Sequence, residues 1–339
     1  MSAAETHRPV TPTGAAAAAE GVLELPSPWP LERGGTLEAA RLAWRLVGPA
    51  AAPVVLAIGG ISARRRVTAE DGGWWAALVG AGRALDARRF RILGIDYLGG
   101  SGDSTGPARG AAHFPTLSSQ DQARAVVALL DHLGLARLHA VVGASYGGMV
   151  ALALGERHAA RVGRLVVISA ADRAHPLSAA WRSIEREIVR FGISRGDPGG
   201  GLKLARALAM TTYRTPREFA ERFGGAPRME GGRWRLPVED YVLARGDAYV
   251  AVHVPEAFVC LSESIDLHSV DATRIAVPTL AIGVREDQLV PLADVEALVA
   301  RLPAGRLGVL DSLYGHDAFL KEERLFRPLL ADFLEGPAP

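Results

Sequence analysis

The sequence predicts a mostly parallel, doubly wound α/β sheet interrupted by a helical insertion. Three observations carry that prediction. Short apolar runs recur along the chain, amphipathic stretches separate them, and the alternation lapses after about residue 170 and resumes near 278. The 339 residues are 49% apolar, enough for a large core. The 38 Lys+Arg nearly cancel the 37 Asp+Glu, and the formal net charge is +1. That balance lacks the basic excess of a nucleic-acid binder. The single cysteine, Cys260, excludes an internal disulfide framework and a thiolate zinc cluster.

Taken in chain order, residues 1–21 carry no basic segment followed by an apolar signal core, and a disordered tail is expected there. No run approaches the ~20 apolar residues that span a bilayer, so no membrane segment and a cytoplasmic location are expected. Residues 41–47 (RLAWRLV) alternate as a strand does. Residues 54–58 (VVLAI) form the continuous apolar run of a strand buried on both faces, and 90–96, 138–143, 164–169, 278–283 and 306–310 repeat it. Residues 120–134 carry helical spacing and stop at Gly134, and 147–158 form a second helix directly after a strand. From 171 to 270 the chain offers Arg/Glu-rich helical patterns (AAWRSIEREIVRFG, GLKLARALAMTTYR, PREFAERFG), then a Gly/Pro-rich loop, GGAPRMEGGRWRLP, and no buried strand. The expected organisation is a core over 22–170, a helical lid over 171–270, and the rest of the core over 271–335.

The most informative five residues are Gly143-Ala144-Ser145-Tyr146-Gly147, at a strand–helix junction. G-x-S-x-G there makes a sharp turn that lifts a serine hydroxyl above the sheet. The alternative is a tight turn with a capping serine. A serine nucleophile needs a base and an orienting carboxylate. His316 follows the strand at 306–310, and Asp287 follows the strand at 278–283, with Glu286 as the alternative acid. Both sites lie past the carboxyl ends of strands, where ligands gather. The oxyanion donors expected are the Tyr146 N–H, at a helix N-terminus, and the Ile61 N–H in Gly59-Gly60-Ile61-Ser62. The remaining histidines read as surface or packing residues, with His268 keeping a small claim on the site. No metal or redox cofactor is supported; LGGSGDSTG lacks the context of a dinucleotide fingerprint.

These residues carry a resemblance to the MetX-like homoserine O-acyltransferases of the α/β-hydrolase fold. Besides GASYGGM, the matching segments are LPSPWPLERGGTL, GGWWAALVGAGRALD, DYLGGSGDSTGP, ARALAMTTYR and YGHDAFL. The resemblance implies acyl transfer from an acyl-CoA to an amino-acid hydroxyl, with no cofactor beyond that co-substrate. It also implies a homodimer formed through the lid. It assigns the triad to Ser145, Asp287 and His316, the substrate ammonium to Asp317, and the substrate carboxylate to Arg206, with Arg214 as a second candidate. A zwitterion fits one Asp and one Arg.

Two departures from the family pattern matter. Tyr146 stands where the family often has Met, which should change the pocket's shape. Gly60-Ile61-Ser62 replaces the Ala-Leu-Thr of acetyl-transferring members, and Gly leaves room for a longer acyl group. The expected reaction is therefore succinyl transfer from succinyl-CoA to L-homoserine. Gly59, Gly60, Ile61, Ser62 and Arg186 are the acyl-specificity candidates, and Arg182 and Arg64 to Arg66 are further cations for the succinyl carboxylate. Homoserine O-acetyltransfer and serine O-succinyltransfer are the nearest alternatives. An esterase and a non-catalytic binding protein of the same fold are the others.

Overall fold

The computed structural model describes residues 18–336. Eight strands form the central sheet: β1 (Ala18–Glu24), β2 (Arg41–Val47), β3 (Val54–Ile58), β4 (Arg91–Ile95), β5 (Ala140–Ala144), β6 (Leu165–Ile168), β7 (Thr279–Val284) and β8 (Gly305–Leu310). Their order is β1-β2-β4-β3-β5-β6-β7-β8. β1–β2 and β2–β4 pair antiparallel, and every other pair is parallel. Nine helices accompany them among the described residues: α1 (Ser119–His132), α2 (Tyr146–Arg157), α3 (Pro176–Ser194), α4 (Pro198–Tyr213), α5 (Pro216–Phe223), α6 (Pro237–Val250), α7 (Pro255–Asp266), α8 (Leu292–Arg301) and α9 (Glu323–Glu335).

Alternation along the strands splits the core into two layers. On β3, Leu56 and Ile58 face one layer with Val126, Leu129 and Met149; Val55 and Ala57 face the other with Trp75, Phe326 and Leu330. Every residue of β3, β5, β6 and β7 is buried, which is why their sequences read as unbroken apolar runs. β8 is different. It closes the sheet as an edge, and Leu307 and Val309 are each 36% exposed. At the other edge, residues 18–21 belong to β1 and pair with Val47, Leu46, Arg45 and Trp44, so the expected disordered tail is wrong for them. Residues 1–17 of that tail lie outside the described residues.

α3 to α7 form the insertion between β6 and β7 and cover the sheet's carboxyl edge. Each opens with proline in its first turn, where a missing N–H costs nothing and the fixed φ suits a helix. Val189, Leu202, Ala205, Tyr249 and Phe258 give the insertion its own small core. The expected Gly/Pro loop between α5 and α6 contains an exposed two-stranded hairpin, Arg228–Glu230 with Arg233–Arg235. Three side-chain bonds tie the insertion to the loops after β7 and β8. Ser178 Oγ donates to Leu289 O (2.7 Å), Thr215 Oγ1 to Leu313 O (2.7 Å) and Gln288 Nε2 to Arg214 O (2.9 Å). No helix among the described residues is long and apolar enough to cross a membrane.

Candidate active site

The site begins at the turn from β5 into α2. Ser145 sits there at φ 55°, a left-handed conformation that a non-glycine residue holds only when its surroundings enforce it. The flanking glycines are what allow the turn. A Cβ at Gly143 would lie 2.2 Å from Gly147 O, and one at Gly147 would lie 2.4 Å from Ile58 O. Ser145 N–H donates to Ile168 O (2.8 Å) and Gly147 N–H to Gly59 O (2.9 Å), which fixes the turn between neighbouring strands.

His316 and Asp287 arrive from the loops after β8 and β7. His316 Nδ1 donates to Asp287 Oδ2 at 2.7 Å, and its Nε2 accepts from Ser145 Oγ at 2.9 Å. The second carboxylate oxygen, Oδ1, accepts from the N–H groups of Leu289 (2.9 Å) and Val290 (3.0 Å). Asp287 is thereby fixed with Oδ2 aimed at the imidazole. Burial alone would lower the pKa of His316; the charge and hydrogen bond of Asp287, with the charge of Asp317, outweigh it and hold it above the ordinary value. Glu286 is elsewhere: its Oε2 accepts from Ser312 N–H at 2.9 Å. The arrangement can deprotonate a serine hydroxyl and reprotonate a leaving group.

Ile61 and Tyr146 flank Ser145 from the β3 loop and the start of α2. Neither N–H has an intramolecular acceptor among the described residues, so both are free to donate. Gly60 faces the nucleophile; a Cβ there would come 3.9 Å from Ser145 Oγ. Gly59 answers to packing instead, since a Cβ would collide with the Trp74 ring at 2.3 Å. Ser62 Oγ hydrogen-bonds Tyr249 Oη at 3.0 Å. The Tyr146 side chain does not shape the pocket as its replacement of Met suggested. It is fully buried, packs edge-on against Tyr97, and bonds Ser264 on α7 at 2.6 Å.

Gly60, Ile61, Ser62, Ser145 and His316 line a cavity of about 220 Å³ beneath the insertion. Arg206 enters it from α4, its guanidinium lying over the rings of Tyr249 (4.7 Å) and Tyr213 (5.0 Å). Its hydrogen bond is to Tyr213 Oη at 3.3 Å, and it has no carboxylate partner among the described residues. Two aromatic faces and an unpaired guanidinium make a rigid anion receptor. Tyr213 also stacks on His316. Asp317 lines the same cavity.

Several candidates are placed otherwise. Arg214 is outside the cavity and ion-paired with Glu218 and Asp317, each at 2.9 Å, so it positions Asp317 rather than meeting a ligand. Arg186 is also outside, committed to Asp266 Oδ2 (2.6 Å), Ser262 and Ser183. Arg182, one turn earlier, does line the cavity; its hydrogen bond runs from Nε to Asp266 Oδ1 at 2.6 Å. Arg65 pairs with Asp96 and Asp103, Arg66 reaches Glu20, and Arg64 donates to Val252 O, all outside the cavity. His268 is buried against Ser119 (2.7 Å) away from the cavity, whereas His175 lines its wall. Cys260 is buried, and burial pushes its thiol up to about 12. Among the described residues no group of His, Cys, Asp and Glu could hold a metal ion.

Sequence reasoning missed Tyr213, Tyr249 and Glu185, all of which build or line the site. Tyr213 stands seven residues after Arg206, hence on the same helix face, and that spacing was a usable signal.

The comparisons with known proteins agree with this geometry. Residues 53–192 match the family model described as the alpha/beta hydrolase fold. The homoserine O-succinyltransferase of Xanthomonas campestris pv. campestris is 47% identical over 327 residues, covering 95% of this chain and 85% of the relative. The chain belongs to the MetX-like homoserine O-acyltransferase family. The serine O-succinyltransferase of Stenotrophomonas maltophilia is 33% identical, covering 92% of this chain and 96% of that protein. The crystal structure of a homoserine O-acetyltransferase from Bacillus anthracis superposes with a TM-score of 0.86 at 19% identity, covering 96% of this chain and all of that one. Family membership makes the α/β-hydrolase fold and an acyltransferase activity the frame for reading the site.

Proposed function

We propose that this acyltransferase is a homoserine O-succinyltransferase working through a covalent acyl-enzyme. His316 takes the proton of Ser145, with Asp287 holding the imidazole. Ser145 Oγ attacks the thioester carbonyl of succinyl-CoA. The Ile61 and Tyr146 N–H groups hold the oxyanion, and His316 protonates the departing CoA thiolate. Homoserine then binds, its carboxylate on Arg206. His316 deprotonates its hydroxyl, which attacks the acyl carbonyl and releases O-succinyl-homoserine, restoring Ser145. Such a product belongs to methionine biosynthesis.

The observation that carries this reading is the pairing of an aligned Ser145–His316–Asp287 relay with the unpaired, aromatic-held Arg206 in one cavity. A general esterase has no need of that cation. The 47% identity to a homoserine O-succinyltransferase supports the same donor and acceptor. For the succinyl carboxylate, Arg182 is the supported receptor. Asp266 fixes its Nε, and its terminal nitrogens have no hydrogen-bond partner among the described residues. Its charge is close enough to oppose protonation of His316. Gly60 leaves the space beside Ser145 that a longer acyl chain needs.

Serine as acceptor is the second reading, favoured by the serine O-succinyltransferase relatives at 33% identity. A matrix of succinyl-CoA and acetyl-CoA against homoserine and serine, read by product mass, tests both. O-succinyl-homoserine should dominate. A homodimer through the lid is part of the proposal. Leu177 (51% exposed), Ile184 (53%) and Phe191 (67%) repeat every seven residues along α3, an apolar stripe suited to a second copy.

A further inference from the structure

The segment DYLGGSGDSTGP stands out in the sequence, yet the reaction above uses none of its side chains. It follows β4, which neighbours β3 in the sheet. Its first two residues, Asp96 and Tyr97, grip the loop after β3 on either side of Ile61.

Tyr97 holds the near end of that loop. Its hydroxyl donates to Gly59 O at 2.7 Å, and the same carbonyl accepts from Gly147 N–H at 2.9 Å. Gly59 is thereby tied both to the end of β4 and to the nucleophile turn. Burial holds the phenol well above the usual tyrosine range, so it stays a donor. The Tyr97 ring also packs edge-on against Tyr146, with centroids 5.0 Å apart, and so braces the residue that carries the second oxyanion donor.

Asp96 holds the far end. It is buried. Its Oδ1 accepts from Arg65 N–H (2.7 Å), and its Oδ2 accepts from Arg65 Nη1 (2.5 Å) and Asp103 N–H (2.8 Å). Asp103 pairs in turn with Arg65 Nη2 at 2.6 Å. The segment wraps this carboxylate closely: a Cβ at Gly102 would lie 2.5 Å from Asp96 Cγ. Ser104 Oγ donates to Asp96 O at 2.6 Å and closes the wrap.

We propose that Tyr97 and Asp96 are positioning residues for the reaction, which together fix the Ile61 N–H where the oxyanion forms. Neither side chain touches substrate. A donor stabilises a transition state most when it need not reorganise as charge develops. Two glycines precede Ile61, and such permissive backbone keeps one conformation only when anchored. A loosened loop would still bind both substrates. It would lose stabilisation of the tetrahedral intermediate in both half-reactions. The assignment rests on the acyl-enzyme reading above.

Tyr97→Phe tests it by removing one hydroxyl and keeping the ring. Succinyl-enzyme formation and its discharge by homoserine are followed in single turnovers, beside inhibition by 3-boronopropanoic acid. That acid is a succinyl group with boron in place of the carbonyl carbon. Ser145 Oγ adds to the boron, His316 takes the proton, and a boron hydroxyl occupies the oxyanion position. Both half-reactions should slow roughly 10-fold, less than the 10²–10³-fold of losing an oxyanion donor outright. KM for succinyl-CoA should keep its wild-type value, and the boronate inhibition constant should rise by the same factor as the rates fall. Asp96→Asn should show the same pattern. A merely structural role would lower only the fraction of active enzyme: kcat would fall while the inhibition constant held, and that result overturns the assignment. So does a Tyr97→Phe enzyme with wild-type rates. A wild type that forms no succinyl-enzyme overturns the acyl-enzyme reading, and this assignment with it.

Discussion

Replacing Arg206 with methionine separates the two halves of the proposed reaction. The guanidinium lies 4.7 and 5.0 Å from the Tyr249 and Tyr213 ring centroids and makes one weak bond, to Tyr213 Oη at 3.3 Å. It gives up no ion pair to any carboxylate among the described residues, so its hydrogen-bonding capacity is reserved for the acceptor. A bidentate carboxylate contact contains two charge-assisted hydrogen bonds, each about 1.5–3 kcal/mol. Their loss totals about 3–6 kcal/mol, and at about 1.4 kcal/mol per factor of ten that is two to four orders of magnitude in kcat/KM for homoserine. Lost cation–π contacts cost about 0.5–2 kcal/mol each, partly offset because methionine needs no hydration when buried, so Tm should fall by only a few degrees. Stopped-flow release of CoA measures acylation in the absence of acceptor; steady-state assays with varied homoserine measure the second half. Acylation should stay within a few-fold of wild type. If acylation falls as far as acceptor turnover, Arg206 is not the acceptor's receptor and the reasoning fails.

Arg182→Met should lower kcat/KM for succinyl-CoA about 10- to 100-fold and leave acetyl-CoA little changed, read as CoA release with each donor. Gly60→Ala places a methyl 3.9 Å from Ser145 Oγ, an ordinary contact that the fold tolerates; crowding of the longer acyl chain, worth about 1–3 kcal/mol, should shift donor preference toward acetyl-CoA. Because Asp287 holds the pKa of His316 above its ordinary value, the imidazole stays protonated to higher pH than a free histidine does. Activity should therefore rise as pH climbs through a value above the about 6.5 of an unperturbed histidine. Asp287→Asn should move that limb to lower pH and cut kcat by about 10³–10⁴, checked by a pH–kcat/KM profile. Phe191→Glu on the exposed α3 stripe should turn a dimer into a monomer, read by light scattering.

What the sequence could disclose follows from where each signal resides. β3, β5, β6 and β7 are buried on both faces, so their identity is written locally as apolar runs. β1 is written almost nowhere. Ala18, Ala19 and Glu20 are exposed, and backbone pairing with β2 makes the strand. Gly21 contributes by yielding to the Trp44 ring, which a Cβ would meet at 2.9 Å. α6 went unread because it presents little apolar face, with only Gly246 and Tyr249 buried along it. Ser145, Asp287 and His316 were legible because each follows a strand of the sheet. Arg182 and Arg186 stand one turn apart on α3 and share Asp266, so spacing could not separate them; the packing of α3 decides that Arg182 lines the cavity and Arg186 does not. Glu185, Tyr213 and Tyr249 come together only when α3, α4 and α6 pack.

The central claim is a succinyl group carried by Ser145 and surrendered to an amino-acid hydroxyl. Rapid-quench mass spectrometry of the protein with succinyl-CoA tests it most directly. The account predicts a mass increase of one succinyl group, mapped to Ser145 and absent in Ser145→Ala, that homoserine discharges to O-succinyl-homoserine far faster than water does. No adduct, or one lost to water at the same rate with or without homoserine, would contradict it.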